Sequence, residues 1–456
     1  MRSSVSGRKA TGLISVLALA TGTVLAAGPS ASAHGFHSAP GHAPSHAKPL
    51  IGQRVGFFTQ WSIYSGFSAK QVDTSGQAAK LTTLNYAFGN VGADGTCFEA
   101  NEAGQGDAWA DYQRPVGADE AVDGVADTAD QPLKGNFNQL RELKAKYPQL
   151  HPMITLGGWT WSTYFSSAAA TPASRAKLVS SCIDQFIKGD LPVLDGVNGG
   201  QGAAAGIFDG IDIDWEYPGG GGADGNQASP QDGHNYTLLL QEFRKQLDAL
   251  GKKTHKHYLL TADTSAGRPK IAQLELAKAA KPVDWFNVMA YDFHGNWEVT
   301  GPTNNAANLH GDPKDPAKAA DLNYNIDSVL GDYLKHGVPA KKIVLGTPLY
   351  GYGWSGVGPK NNGLYQPATG TLGSIPYNVL VNTPGKVTFD RTTGATTKYD
   401  AASQSFYTYD TPQVLRDKGA YVRDLGLGGV MAWSLDNDTT TGDEVAALDR
   451  GLDTGH

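Results

Sequence analysis

The chain has 456 residues, 40% of them hydrophobic, which is enough to bury a large core in one domain or in two to three ordinary ones. Its formal net charge is −7, and no cluster of Lys and Arg occurs outside short helix faces. Charge and composition therefore argue against nucleic acid and anionic membranes as partners.

The first 33 residues have the parts of a secretory signal peptide. A basic start is followed by an apolar stretch over 13–27 and by Ala-Ser-Ala at 31–33, a typical cleavage site. The apolar stretch is shorter than the roughly 20 residues that span a membrane. We predict a signal peptide at 1–33 and a mature chain that is secreted to the extracellular space without a membrane anchor.

Segment 34–50 contains four His residues, which raises the hypothesis of a metal site. Pro, Gly and Ser separate these His residues and no acidic residue accompanies them, so a disordered linker is the favoured interpretation. The two cysteines, Cys97 and Cys182, form no metal-binding pattern. Export permits a disulfide bond between them, but Cys182 lies on the apolar face of a predicted helix, where an unbridged buried thiol is the alternative.

Eight apolar segments, rich in β-branched and aromatic residues, are predicted strands. Most of them are continuously apolar at their starts, as expected for parallel strands covered on both faces. The segments are 55–61, 82–91, 153–159, 208–217, 258–266, 285–295, 342–351 and 428–436.

Amphipathic stretches between these strands predict helices. One of them is expected to end at Gly251, and another has Pro412 in its first turn, behind an Asp or Thr N-cap. The stretches are 132–148, 173–189, 234–251 and 410–426.

The alternation of strands and helices predicts an α/β protein whose residues 51–456 form a catalytic (β/α)8, or TIM, barrel. A two-domain doubly wound protein is the alternative, and it is disfavoured because no Gly-rich phosphate loop opens a helix after a strand. Between strands 7 and 8, an alternating sequence rich in Thr and Tyr predicts a small α+β insertion at about 352–409, on the top face of the barrel.

The fourth predicted strand, FDGIDIDWEY, carries four acidic residues. Side chains of a strand alternate between its faces, so Asp212, Asp214 and Glu216 point into the barrel and rise toward its C-terminal mouth. Neighbouring acids are then about 6–7 Å apart, a spacing suited to a proton relay. Asp209 has the opposite parity and is predicted to be structural.

Like charges at this spacing cannot all ionise, so at least one pKa must rise. Glu216, nearest the mouth, is the natural proton donor. An EF-hand is excluded, because its sixth and twelfth positions from Asp212 would be Tyr217 and Ala223. Another cation site and a purely structural acid cluster are the alternatives, and uncompensated burial disfavours the second.

Four motifs along the chain resemble those of a known family and follow the same strand order. DGIDIDWE resembles the DxxDxDxE signature of family 18 glycoside hydrolases, the chitinase family. TLGGW is similar to the SxGG strand of that family, with Thr155 in place of Ser, and MAYDFHG and MAWSLD resemble its Met-x-Tyr-Asp strand and its last strand. The insertion resembles that of bacterial subfamily A chitinases, and the resemblance spans roughly 52–450.

The resemblance implies a retaining hydrolysis assisted by the substrate, in which the acetamido oxygen attacks the anomeric carbon and an oxazolinium ion forms. It makes Glu216 the general acid and then the base. Asp214 would move between Asp212 and the substrate, and Tyr291 would contact the acetamido group. No cofactor and no metal ion are expected.

For substrate binding, the resemblance implies contacts from Asp292 and Met289. Trp433 would form the floor under the distorted sugar. Gly157 and Gly158 are predicted to give the substrate or Glu216 close backbone clearance. A buried core position is the alternative for each aromatic residue. Further aromatic candidates for the groove are Trp159, Trp61, Trp297 and Phe88, with Tyr350 as a weaker one.

These patterns predict a secreted, monomeric chitinase acting on chitin and chitooligosaccharides. A chitin-binding lectin on the same barrel is one alternative, and the presence of Glu216 argues against it. An endo-β-N-acetylglucosaminidase acting on N-glycans is the other, and the large insertion and the many cleft aromatics argue for a long linear polymer instead.

Overall fold

The computed structural model describes residues 52–317 and 324–453. The predicted signal peptide at 1–33 and the linker at 34–50 lie outside the described residues. Within the described ranges, no helix combines the length and the apolar character needed to cross a membrane.

Eight parallel strands close into a barrel, because each pairs with the next one in the chain and the last pairs with the first. The predicted (β/α)8 barrel is thereby confirmed. The strands are β1 Gln53–Thr59, β2 Thr83–Val91, β3 His151–Gly157, β4 Gly210–Asp214, β5 Leu259–Ser265, β6 Trp285–Met289, β7 Ile343–Pro348 and β8 Gly429–Trp433.

A helix follows each strand and packs outside the barrel. Shorter helical turns occur at Gln60–Ser65, Gly158–Trp161, Phe165–Ala169 and Arg268–Ile271. The main helices are α1 Ala69–Thr74, α2 Gly135–Lys146, α3 Pro172–Cys182, α4 Asp232–Thr254, α5 Leu276–Ala279, α6 Ile326–Lys335, α7 Pro412–Asp424 and α8 Asp443–Leu452.

The helix ends follow local chemistry, with one correction. α7 begins as predicted, with the Thr411 side chain accepting a hydrogen bond from the backbone N–H of Val414. α4, expected to end at Gly251, continues to Thr254 and ends where His255 adopts a left-handed conformation. Gly251 instead permits close approach, since a Cβ there would lie 2.4 Å from the carbonyl oxygen of Lys256.

The two faces of β4 lie in different layers. Ile211, Ile213 and Trp215 belong to the large apolar core between barrel and helices, where Trp215 stacks on Phe165 with 5.5 Å between ring centroids. A smaller apolar cluster, which includes Phe57 and Met431, fills the barrel interior. The predicted alternation of faces therefore holds along this strand.

Two further features shape the barrel mouth. Cys97 and Cys182 form a disulfide bond that ties the loop after β2 to α3, so the alternative of an unbridged thiol is wrong. A five-stranded antiparallel sheet lies between β7 and β8. Its strands, in spatial order, are Gly370–Pro376, Tyr350–Ser355, Ser405–Tyr409, Ala395–Asp400 and Lys386–Asp390.

Candidate active site

Asp209 lies at the foot of β4, away from the mouth of the barrel. Lys144 Nζ donates to its Oδ1 at 2.7 Å, and His151 Nδ1 lies 2.9 Å from its Oδ2. Burial acts to raise its pKa, but the hydrogen bonds from His151 and Lys144 prevail and hold the pKa below its usual value. These contacts anchor the strand's base, in keeping with the predicted structural role.

Asp212 is fully buried and accepts hydrogen bonds from three neighbouring strands. Its Oδ2 accepts from Asn85 Nδ2 and from Thr155 Oγ1, both at 2.9 Å, and its Oδ1 accepts from Thr261 Oγ1 at 2.5 Å. Thr155, which departs from the family's Ser, still supplies the hydroxyl. Burial raises the pKa of Asp212 although these hydrogen bonds favour its anion.

Asp214, the next acid on the inward face, is in the opposite situation. Its Oδ1 is buried and finds no hydrogen-bond partner within 52–317 and 324–453. Burial, followed by the charges of Glu216 and Asp212, raises its pKa well above the usual value. The surroundings of Asp214 therefore favour its protonated form, with an acceptor oxygen still unused.

Glu216 lies just beyond the end of β4, where the barrel opens into the cleft. The pKa of Glu216 is raised to about 7. Burial is the largest cause, a hydrogen bond with Tyr217 opposes the rise, and the charge of Asp292 adds to it. A carboxyl group with such a pKa holds its proton for a useful fraction of the time near neutral pH and can also act as a base. Tyr217 was not predicted, although it follows Glu216 directly in the sequence.

Tyr291, Asp292 and Met289 lie together at the end of β6 and line the cleft. Asp292 Oδ1 accepts hydrogen bonds from Tyr350 Oη at 2.6 Å and from Tyr352 Oη at 2.9 Å. Both tyrosines come from the insertion, so this small sheet orients an acid of the barrel. The sequence analysis missed Tyr352, and its signal was the Tyr-Gly-Tyr alternation directly after β7.

Aromatic rings form the walls of a cleft of approximately 730 Å³ above these acids. Phe88 stacks on Trp433 at 5.7 Å and lies 6.1 Å from Trp61. Trp61, Trp159 and Trp297 are 47%, 51% and 54% exposed, so a core position, the alternative for these three, is wrong. The predicted aromatic set is thus assembled in one groove.

Gly157 and Gly158 have positive φ angles of 108° and 72°. A Cβ on Gly157 would lie 2.4 Å from the carbonyl oxygen of Asp214, and one on Gly158 would lie 2.5 Å from the Phe88 ring. The pair therefore gives clearance to β4 and to an aromatic wall, rather than to Glu216.

Asp263 on β5 is a further inward-facing acid, which was not predicted from the sequence. In the sequence, the signal was that Asp263 lies two residues after Thr261 and therefore on the same face of β5, which meets the acids of β4. In the described part of the chain, no group of three or more His, Cys, Asp or Glu residues is placed to hold a metal ion.

Comparisons with known proteins identify the family of this chain. The family Glycosyl hydrolases family 18 matches residues 53–438. Chitinase C of Streptomyces lividans is 36% identical over 403 residues, which cover 86% of this chain and 58% of that protein, and Chitinase A1 of Niallia circulans is 36% identical over 84% of this chain and 56% of that protein. The chain thus spans less than two thirds of the length of these relatives.

Among solved structures, the catalytic domain of psychrophilic chitinase B from Arthrobacter TAD20 is similar, with a TM-score of 0.83. It is 44% identical, over 88% of this chain and 97% of that one. The acids of β4 thus lie in a barrel whose sequence matches one family over most of its length. The chain belongs to glycoside hydrolase family 18.

Proposed function

We propose that this chain is a secreted chitinase that hydrolyses β-1,4 linkages between N-acetylglucosamine units with retention of configuration. The observation that carries the proposal is Glu216, whose pKa is raised to about 7 by burial at the floor of an aromatic groove. The relatives include chitinases and endochitinases, which supports the substrate class.

In the proposed reaction, Glu216 donates its proton to the glycosidic oxygen and later takes one from the attacking water. Asp212, Asp214 and Glu216 follow one another along one strand, so they do not flank the bond from opposite sides as a nucleophile and an acid would. The acetamido oxygen of the substrate therefore serves as the nucleophile, and an oxazolinium ion forms.

Asp214 and Tyr291 hold the acetamido group in this proposal. The unused Oδ1 of Asp214 accepts the acetamido N–H. Asp212 lies below Asp214, and its three donors stabilise the negative charge of the Asp212 carboxylate. The phenol of Tyr291 stays protonated, because burial raises its pKa well above the usual value, and it donates to the acetamido oxygen.

The aromatic walls hold the neighbouring sugars. The faces of Trp433, Trp159 and Trp61 offer apolar surfaces for pyranose rings, and Asp292 contacts the acetamido group from the insertion side. A groove lined by several exposed aromatic rings suits a long polymer. Chitin and chitooligosaccharides are the proposed substrates, with no cofactor.

The test is hydrolysis by the purified protein. We expect reducing sugar from colloidal chitin and from chitotetraose, and an initial β-anomeric product by NMR. Initial α product would contradict retention, and no product from either substrate would contradict the function. A time course of product lengths separates this activity from that of an N-acetylglucosaminidase, the printed activity of a family 18 relative from Paenibacillus barengoltzii that is 27% identical.

The lectin alternative is tested by Glu216→Gln. A chitinase loses turnover in this variant and keeps binding to chitotetraose, whereas a lectin has no turnover to lose. Glu242→Gln is the matched control, because Glu242 lies on α4 and pairs with Lys245 away from the cleft.

Secretion and a monomeric state are part of the proposal. Expression in a secreting host should release a protein whose N-terminal sequence begins near His34, and light scattering should give the mass of one chain. A cell-retained product that keeps the first 33 residues would contradict the proposed export.

A further inference from the structure

Asp263 is a buried acid outside the signature of β4. Strand β5 pairs with β4 so that Thr261 lies opposite Asp212. Two residues further along β5, Asp263 faces the same barrel interior at the level of Asp214, and only 3% of its surface is exposed. The barrel interior therefore contains three carboxyl groups below Glu216 instead of two.

The carboxyl groups of Asp263 and Asp212 are hydrogen-bonded to each other. Two ionised carboxylates cannot form such a contact, so a proton lies between them. Both oxygens of Asp263 are buried, and the side chain of Asn287 is a further hydrogen-bond donor beside this carboxyl group.

The donors around the pair decide which residue carries the proton. Asp212 already accepts from Asn85, Thr155 and Thr261, and three donors favour its anion. The corresponding donor to Asp263 is the side chain of Asn287. Asp263 is thus the neutral acid of the pair, and its O–H is a fourth donor to Asp212.

The other titratable groups near Asp263 agree with this assignment. They are Asp214 on β4, Tyr236 on α4 and Tyr291 just after β6, and none of these three is a cation that would favour a second negative charge. Burial, followed by the charges of Asp212 and Asp214, raises the pKa of Asp263 well above the usual value.

We propose that Asp263 is a positioning residue that donates a hydrogen bond to Asp212, keeps Asp212 anionic and so leaves Asp214 free to turn to the substrate. This inference rests on the proposed mechanism and adds a residue to it. Without the fourth donor, Asp212 would compete with the substrate for the carboxyl group of Asp214.

The test compares Asp263→Asn with Asp263→Leu. The amide of Asn still donates to Asp212. The kcat of this variant should therefore stay within about threefold of wild type, and the acidic limb of its kcat–pH profile should not move. Leu removes the donor, and loss of a hydrogen bond to the anion raises the pKa of Asp212. The acidic limb of kcat should then move up by about one to two pH units, and kcat at pH 6 should fall at least about tenfold with little change in KM.

Thr264→Val is the matched control, since Thr264 is the next residue of β5 and its side chain faces away from the interior. Thermal unfolding of each variant shows that the fold is kept, and Asp263→Ala replaces Asp263→Leu if the latter does not fold. An equal shift of the acidic limb in Asp263→Asn, or no shift in the apolar variant, would overturn the proposal.

Infrared spectroscopy tests the same point without turnover. The protonated-carboxyl band of the wild-type protein at neutral pH should lose one component in Asp263→Asn. Loss of an ionised-carboxylate band instead would overturn the assignment. An inactive wild-type protein would defeat the proposed function, whereas this spectrum would still decide the state of Asp263.

Discussion

The foot and the top of β4 carry the same kind of side chain in opposite states. Asp209, at the foot, is bonded to Lys144 and His151, and its pKa is lowered. Asp214, five residues on, has a buried oxygen that finds no hydrogen-bond partner among the described residues, and its pKa is raised well above the usual value. Environment, and not residue type, separates an acid that holds the strand from an acid that handles protons.

The largest effect is expected from a change at Asp214, at the top of β4. Asp214→Asn removes the carboxyl group that would hold the acetamido group, and turnover of chitotetraose should fall by about 10²–10³-fold. Because the wild-type acid is buried without a partner for Oδ1, the midpoint of thermal unfolding should not fall. A variant with near-full turnover would mean that the two ends of β4 do not differ in function.

The next effect concerns the insertion, which orients Asp292 at the same mouth. Tyr352→Phe removes one donor from Asp292, and kcat/KM should fall by about five- to tenfold. Tyr399→Phe is the matched control, because its hydroxyl donates to the carbonyl oxygen of Val357, within the insertion itself. Equal losses in both variants would show that stability of the insertion, and not the state of Asp292, is responsible.

A smaller effect is expected on the pH dependence set by Glu216. The basic limb of kcat/KM should have an apparent pKa of about 7, above which the rate falls as Glu216 loses its proton. The Tyr217 hydrogen bond lowers this pKa, so Tyr217→Phe should move the limb to higher pH, by about half to one unit. A shift to lower pH would contradict the assignment of Glu216 as the proton donor.

The smallest effect is expected at the foot of the strand. Asp209→Asn should leave turnover within about twofold and lower the free energy of unfolding by about 0.5–1 kcal/mol. The folded pKa of Asp209 lies below its unfolded value of about 3.9. The stabilisation by the Asp209 carboxylate is therefore present above about pH 3.9 and is lost as the pH falls through the folded pKa. Denaturant unfolding at pH 7 and at pH 3 should show the difference from wild type shrinking.

The sequence predicted those parts of the site that depend on strand parity. Asp212 and Asp214 point inward because they alternate with Ile211 and Ile213, and no knowledge of other strands is needed for this. The sequence did not reveal Asp263, because its meaning depends on the register between β4 and β5. Tyr352 was missed for the same reason, since its partner lies on β6.

Local signals also failed where packing overrode them. Gly251 predicted the end of α4, but the helix continues because that glycine provides room for the carbonyl oxygen of Lys256. Cys182 lies on an apolar helix face and is nevertheless bridged to Cys97, which only the position of the loop after β2 decides. A pattern on one segment does not contain the position of its neighbour.

By itself, the sequence determined the order of strands and helices, the inward face of β4 and the row of acids that ends at Glu216. These follow from side-chain periodicity, which is a property of one segment. The contacts of each acid follow from the tertiary structure, which pairs Asp209 with cations, surrounds Asp212 with donors and leaves Asp214 Oδ1 without a partner among the described residues. Protonation depends on burial and on contacts from strands that are distant in the chain, so it is fixed only when the barrel closes.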